Sequence, residues 1–337
     1  MRGSGLSRRE LLGGGLVLTG AGLLTGFCGA QAAQAAAPPP IVACAGWGAR
    51  PPSSPVTVLP RAPIRILIHH TATPNSLDLT RVAADRLARS IQNYHMNVQG
   101  WLDTGQHFTI SRGGVVLEGR HRSLDALNGG RDQIQGAHCP NQNNIAVGIE
   151  NEGTYTSVDP PGALWGQLRL LCAYACAQYK ISPGELRGHR EFYDTACPGD
   201  RLFAMLPQLR REVAAALGLR APANPLTWPL LRVADRGERV VAAQLLLRAS
   251  GIREVPVDGE FGRSTADGVR RFQREHRLEE ENGMIGGATW PLIATPVQAG
   301  DRGEAAQAVE VLSGRRLVWA PTQVDAAQWQ RLLAAAA

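Results

Sequence analysis

Ile64-Arg65-Ile66-Leu67-Ile68-His69-His70 is an apolar run that ends on a pair of histidines. Branched aliphatic residues in a run of this length predict a buried strand. Downstream, apolar positions recur at helical spacing from Leu79 to Asn97, and Gly100 stops the pattern. Strand signals return at His107 to Ile110, Val115 to Leu117 and Ile145 to Glu150. Leu164, Leu168, Leu171, Cys172, Ala175 and Cys176 then share one face of a helix that ends before Pro183-Gly184. Strands alternating with helices predict an α/β domain over residues 41–218, with a single central mixed β-sheet flanked by helices. His69 falls at the carboxyl end of a strand, where open α/β sheets place their ligands.

Residues 219–227 read as a linker, because Pro222 and Pro225 cannot continue the helix before them. From 228 to 295 the pattern is a helix, a turn at Val257-Asp258-Gly259, a helix through Phe272 and a short helix at Thr289-Trp290, which predicts a small three-helix all-α domain. Ala234-Asp235-Arg236-Gly237-Glu238 returns as Gly300-Asp301-Arg302-Gly303-Glu304, an offset of 66 residues, and an apolar helix follows each copy. The second copy has no counterpart of the block from Val257 to Phe272, so 296–337 reads as a degenerate half-repeat.

A chain of 337 residues is long enough for two folded units and an export segment. Its 44% apolar and 19% charged content is ordinary for a soluble protein. The formal charge is +6; three arginines and one glutamate of the leader leave a remainder of +4. With no Lys/Arg-rich run and no aromatic-interleaved basic patch, nucleic acid is excluded as a partner. Residues 1–37 have the layout of a cleavable signal peptide, a charged start, an apolar stretch from Leu11 to Phe27 and small residues to Ala37. Ser7-Arg8-Arg9-Glu10-Leu11-Leu12 resembles a twin-arginine signal, which implies secretion after folding. Glycines weaken the apolar stretch, so no stable membrane anchor is expected.

The residues that carry chemistry are His69, Gly188-His189-Arg190 and Asp194-Thr195-Ala196-Cys197-Pro198-Gly199. Imidazole and thiolate are good zinc ligands, and two His with one Cys leave a fourth position open for water. Once Cys28 is removed with the leader, Cys44, Cys139, Cys172, Cys176 and Cys197 remain. One thiol on a metal and four in two disulfides resolves the odd count in an exported protein. Cys172 and Cys176 lie on one helical face, so each is expected to pair with Cys44 or Cys139.

Residues 45–199 resemble the zinc amidase family that includes the peptidoglycan recognition proteins and certain phage lysozymes. Matching blocks occur in order: Trp47-Gly48-Ala49-Arg50-Pro51-Pro52, Ile66 to Thr73, Gly100-Trp101-Leu102-Asp103-Thr104-Gly105-Gln106-His107-Phe108, Gly136-Ala137-His138, Val147-Gly148-Ile149-Glu150 and Gly188 to Gly199. The resemblance implies Zn2+ held by His69, His189 and Cys197. It implies hydrolysis of the amide between N-acetylmuramic acid and L-alanine of peptidoglycan, with zinc activating water and polarising the carbonyl. Glu150 matches a glutamate that some relatives use for proton transfer. Thr195 sits where relatives place a Lys or Thr that could hydrogen-bond the oxyanion. Many active relatives have Tyr where this chain has Gln106, which can hydrogen-bond but cannot act as a phenol acid, so Glu150 carries more of the proton traffic. His95, His107 and His138 read equally as groove-lining or structural, and His70 as structural. Residues 228–294 resemble a three-helix peptidoglycan-binding domain, on Asp235-Arg236-Gly237-Glu238, Val257 to Gly262, Thr265, Arg271-Phe272-Gln273, Gly283-Met284-Ile285-Gly286 and Thr289-Trp290. A non-catalytic recognition module is the alternative reading; the presence of Cys197 and both ligand histidines favours the enzyme. The His-Glu-x-x-His motif of metallopeptidases is absent from the sequence.

Overall fold

The computed structural model describes residues 38–314 and 323–336, so the signal-peptide reading of 1–37 lies outside the described residues. Among the described residues eight strands form two sheets: β1 (Ile41–Val42), β2 (Val58–Leu59), β3 (Arg65–His70), β4 (Phe108–Ile110), β5 (Val116–Glu118), β6 (Gln133–Ile134), β7 (Ala146–Asn151) and β8 (Leu186–Gly188). The main sheet has the order β1-β5-β4-β7-β3-β8, and β2 pairs with β6. β4, β7, β3 and β8 run parallel while β5 is antiparallel to β4, which makes the sheet mixed, as the alternating pattern predicts.

The helices of this half are α1 (Cys44–Trp47), α2 (Arg81–Asn97), α3 (Ser123–Gly129), α4 (Gly162–Tyr179) and α5 (Asp200–Ala216). α2 starts two residues after the first apolar position of its pattern because Thr80 caps it. The Thr80 hydroxyl accepts from the Ala83 N–H at 3.2 Å and donates to Asp78 Oδ1 at 2.6 Å.

Alternation along β3 places the site. Ile66 and Ile68 join Phe108, Ile110, Val147 and Ile149 in the core covered by Leu164, Leu168 and Leu171 of α4 and Leu202, Leu206 and Leu209 of α5. Cutting one of these leucines to Ala would cost about 2–5 kcal/mol. Leu67 faces the other way, against Cys139, Ala146 and Phe192. His69, two residues on, shares the face of Leu67. The chain cannot slip by one residue without turning a histidine into the aliphatic core.

The two expected disulfides do not form: all five described cysteines are free and buried. Cys172 and Cys176 lie in the main core under α4, Cys44 packs with Trp47 and Leu117, and Cys139 packs with Leu67. The four thiols sit in three separate apolar clusters.

After the irregular segment 219–227 come α6 (Glu238–Ala249), α7 (Arg263–Glu275), α8 (Trp290–Ile293), α9 (Glu304–Ser313) and α10 (Ala326–Ala335). The two segments that share the sequence motif also share backbone features. Gly237 and Gly303 precede α6 and α9 at φ of 112° and 107°, a region that favours glycine. Leu231 bridges Ile285, and Val297, at the same 66-residue offset, bridges Val324. The Trp290 indole donates to the Pro229 carbonyl at 2.6 Å, and the Trp329 indole donates to the Thr295 carbonyl at 2.8 Å. Both copies share one core, running from Leu231 to Leu333. Among the described residues no helix is long and apolar enough to cross a membrane.

Candidate active site

The carboxyl ends of the four parallel strands bring the sequence-predicted residues into one row. Register pairs His69 with Glu150 and Glu150 with Thr109, and it pairs Ile68 with Gly188, so His189 follows β8 beside His69. Cys197 arrives from the loop before α5. One donor atom from each of His69, His189 and Cys197 lies within 4.8 Å of the others, and His69 Nδ1 is 3.7 Å from the Cys197 sulfur. The turn carrying His189 is fixed from behind: the Glu191 carboxylate accepts from the Gly188 N–H at 3.0 Å and pairs with Arg187 at 2.5 Å and Arg210 at 3.7 Å.

A hydrogen-bond chain sets which nitrogen of His69 faces its partners. His138 Nε2 lies 3.3 Å from the Ala146 carbonyl, which can only accept, so this nitrogen carries the proton. His138 Nδ1 is then the acceptor for His69 Nε2–H at 3.1 Å, which leaves the lone pair of His69 Nδ1 toward Cys197. Two glycines make room for the His138 ring. A Cβ on Gly148 would stand 2.6 Å from its Cγ, and one on Gly136 would stand 2.6 Å from its Cδ2. Gly148→Ala is therefore expected to push His138 off His69 and weaken metal binding about 10- to 100-fold, the usual range for an outer partner of a ligand histidine. Chelator competition measures this, and an unchanged affinity would mean that His138 holds nothing.

The row floors a cavity of about 340 Å³ lined also by Gln106, Thr195, His95 and Trp101. Trp101 lies tilted against His95, ring centres 4.6 Å apart, and His95 Nδ1 accepts from the Gly105 N–H at 3.1 Å. Thr195 Oγ1 accepts from the Cys197 N–H at 3.1 Å, which leaves its own proton free to donate into the cavity. Gln106 bonds the Thr109 hydroxyl through Nε2 at 2.8 Å, and its Oε1 is buried without a protein partner. Because a hydroxyl serves either end of an amide, Gln106 can offer the cavity an acceptor or a donor. His107 lies behind the row with both nitrogens committed: Nδ1 accepts from the Gly148 N–H at 2.9 Å and Nε2 lies 2.7 Å from the Ile134 carbonyl. His70 Nδ1 accepts from the Tyr155 N–H at 3.2 Å, a structural role that leaves its ring at the cavity edge.

The electrostatics suit a cation. Burial, and then the neighbouring imidazoles, hold His69 well below its ordinary value, and burial followed by His70 lowers His189 to about 4. Both are neutral at physiological pH, as ligands must be. Burial first, then the charge of Glu150, pushes the Cys197 thiol up, while the His70 N–H, 3.3 Å from the sulfur, favours the thiolate. Burial raises Glu150 to about 8. Both ring nitrogens of His189 and one carboxylate oxygen of Glu150 are buried with no hydrogen-bond partner among the protein atoms. Two imidazoles, one sulfur and orphaned polar atoms in one cavity fit Zn2+.

Sequence reasoning missed the part His138 plays, although Gly136 and Gly148 stand in blocks it singled out. Trp101 also stood in such a block without a role.

A family model described as N-acetylmuramoyl-L-alanine amidase matches residues 60–200, and a peptidoglycan binding domain model matches residues 236–293. Peptidoglycan recognition protein 1 of Bos indicus is 34% identical over 171 residues, 50% of this chain and 83% of that protein. Peptidoglycan-recognition protein LB of Drosophila melanogaster is 33% identical over 159 residues, 47% of this chain and 63% of that protein. N-acetylmuramoyl-L-alanine amidase of Homo sapiens is 36% identical over 165 residues, 48% of this chain and 26% of that protein. With its sheet, its row of residues and these relatives together, the chain belongs to the family of peptidoglycan recognition proteins and N-acetylmuramoyl-L-alanine amidases.

Proposed function

We propose that this protein is an exported zinc amidase that cleaves the bond between N-acetylmuramic acid and the L-alanine of the stem peptide. The observation that carries the reading is the convergence of His69, His189 and Cys197 at the edge of a cavity that also holds an unpartnered Glu150 carboxylate. Zn2+ held by the three side chains supplies Lewis acidity, which activates water and polarises an amide carbonyl.

The protein's own groups do the rest. Glu150 takes a proton from the attacking water and returns it to the departing amine of L-alanine, so the elements of water add across the broken C–N bond. Thr195 donates to the oxygen that gains charge during attack. Gln106 hydrogen-bonds the substrate amide or the water without exchanging a proton. Trp101 and His95 wall the cavity. His138 keeps His69 in the tautomer that ligation needs. The signal features of residues 1–37, with their twin-arginine-like start, support delivery to the wall outside the cytoplasmic membrane.

Digestion of purified peptidoglycan, followed by mass analysis, tests the proposal. Expected products are stem peptides with a free L-alanine amino group and glycan strands of unchanged length, with activity lost to a chelator and restored by zinc. Sedimentation with the wall in the absence of any released peptide would replace the enzyme with a recognition protein.

A further inference from the structure

Residues 279–287 of the helical half rest against two loops of the sheet half, and both loops carry residues of the site. The first contact is a clasp on the turn at 141–144. Glu279 accepts from the Asn141 backbone N–H at 2.8 Å, from Asn143 Nδ2 at 3.0 Å and from Asn144 Nδ2 at 2.6 Å; its own N–H donates to Asn141 Oδ1 at 2.6 Å. Asn141 sits at a φ of 63°, a left-handed conformation that Asn tolerates better than most residues. Asn143 is the hub of the turn. Its Oδ1 accepts from the backbone N–H groups of His138 at 2.8 Å and Cys139 at 3.0 Å, and its carbonyl accepts from the Gly136 N–H at 2.9 Å. His138 then accepts from the ligand histidine His69. Hydrogen bonds run from Glu279 through Asn143 to the His138 backbone N–H, and the ring of the same histidine bonds His69.

The second contact is on the loop after His189. Phe192 packs where a Cβ on Gly287 would come within 2.6 Å of its ring. Asp194 pairs with Arg232 at 2.5 Å, and the Tyr193 hydroxyl lies 3.4 Å from Glu280. Tyr193 in turn stacks on His189 at 5.8 Å. His69 at the end of β3 and His189 just after β8 are thus each backed by a loop that the helical half touches.

We propose that the helical half is a positioning element of the metal site as well as a wall-binding module, and that Glu279 is its positioning residue. This rests on the zinc reading above. The Glu279 contacts and the Asp194–Arg232 pair are solvent-exposed and weak alone. Their joint effect is to leave the 136–144 loop one arrangement, the one that presents His138 to His69.

The test uses the full chain and three variants: Glu279→Ala, Asn143→Asp, and the pair Asn143→Asp with Glu279→Gln. Asn143→Asp keeps an oxygen for the His138 and Cys139 N–H groups but sets a carboxylate against Glu279. In the pair, the amide introduced at 279 can donate to the carboxylate introduced at 143. Zinc affinity by chelator competition, the visible spectrum of the cobalt-substituted protein and amide hydrogen exchange over 136–145 are the readouts. Each single variant should weaken zinc binding about three- to tenfold, less than a direct partner of the ligand would. Each should also shift the cobalt–thiolate band and speed exchange over 136–145, and the pair should recover part of the Asn143→Asp loss, since the amide nitrogen at 279 gains the carboxylate at 143 but no longer accepts from the Asn141 N–H. Affinity and spectrum unchanged in Glu279→Ala would overturn the proposal, and so would a pair as damaged as Asn143→Asp alone. If the unaltered chain binds no zinc, the functional reading fails and exchange alone decides: faster exchange in Glu279→Ala upholds the clasp, and equal exchange overturns it.

Discussion

Replacing His189 with alanine is expected to release the metal and lower hydrolysis by about three or more powers of ten, since the Lewis acidity lost is worth several kcal/mol and each 1.36 kcal/mol is a factor of ten. The remaining pair, His69 and Cys197, cannot close the site, and the Cys197 thiol is pushed up by burial, so it binds a proton unless a cation displaces it. The fold should survive: the His189 ring makes no hydrogen bond, and the turn that carries it is held by Glu191 through the Gly188 N–H. The checks are metal content, circular dichroism and release of stem peptides. Zinc binding to the unaltered chain near pH 7 should also expel about two protons, one from Cys197 and one from Glu150, because both histidines are already neutral and a bound dication draws the Glu150 value down. Calorimetry in buffers of different ionisation enthalpy measures those protons. A His189→Ala chain that kept one equivalent of zinc and its full rate would remove these three residues from the metal site.

The same residues show how far the sequence could be read. The strand through His69 was legible because an apolar run has one good home in an α/β domain, under helices. Its register was not, because pairing of His69 with Glu150 and the approach of His189 depend on which strands neighbour β3, and nothing in a local pattern states that order. The ligand set could be proposed from residue type and from resemblance, whereas the tautomer of His69 needed the position of one carbonyl, that of Ala146. Counting cysteines failed for a physical reason: parity says how many thiols could pair, but not where they are, and burial in three separate apolar clusters keeps them apart. The prolines at 222 and 225 lie in a segment without helix or strand. They could not reveal that the next domain returns to grip Asn141 and Asn143, since single polar contacts leave no periodic trace. That contact bears on targeting too. A domain held against the site does more than raise the local concentration of enzyme at an insoluble wall, and cutting the chain at Gly218 would expose Phe192 and the 141–144 turn as well as remove wall affinity.

The group that moves the proton in the proposed reaction is the remaining choice, and Glu150 is the reading we propose. His107 has both nitrogens engaged by backbone groups, and Gln106 has no proton to exchange. Glu150→Gln keeps the shape and removes the base, so turnover should fall by roughly two to four powers of ten with zinc retained. Gln106→Ala should cost less, because it deletes a hydrogen bond only. The pH dependence carries the sign of the shift. Burial raises Glu150 to about 8, and a bound dication would draw that value down toward the ordinary carboxylate range. A base must be ionised, so the rate should rise with pH through the Glu150 titration, and that acidic limb should vanish in Glu150→Gln. Stability of the metal-free chain runs the other way. Between the ordinary carboxylate value of 4.5 and about 8 the folded state holds a proton that the unfolded state has lost, so stability falls as pH rises through that window. Glu150→Gln should abolish this fall, so the variant should melt higher than the unaltered chain at pH near 8 while being nearly inactive. Paired melting curves and rate profiles decide it: a Glu150→Gln protein that keeps its rate and its acidic limb, with the metal bound, would place the base elsewhere in the cavity.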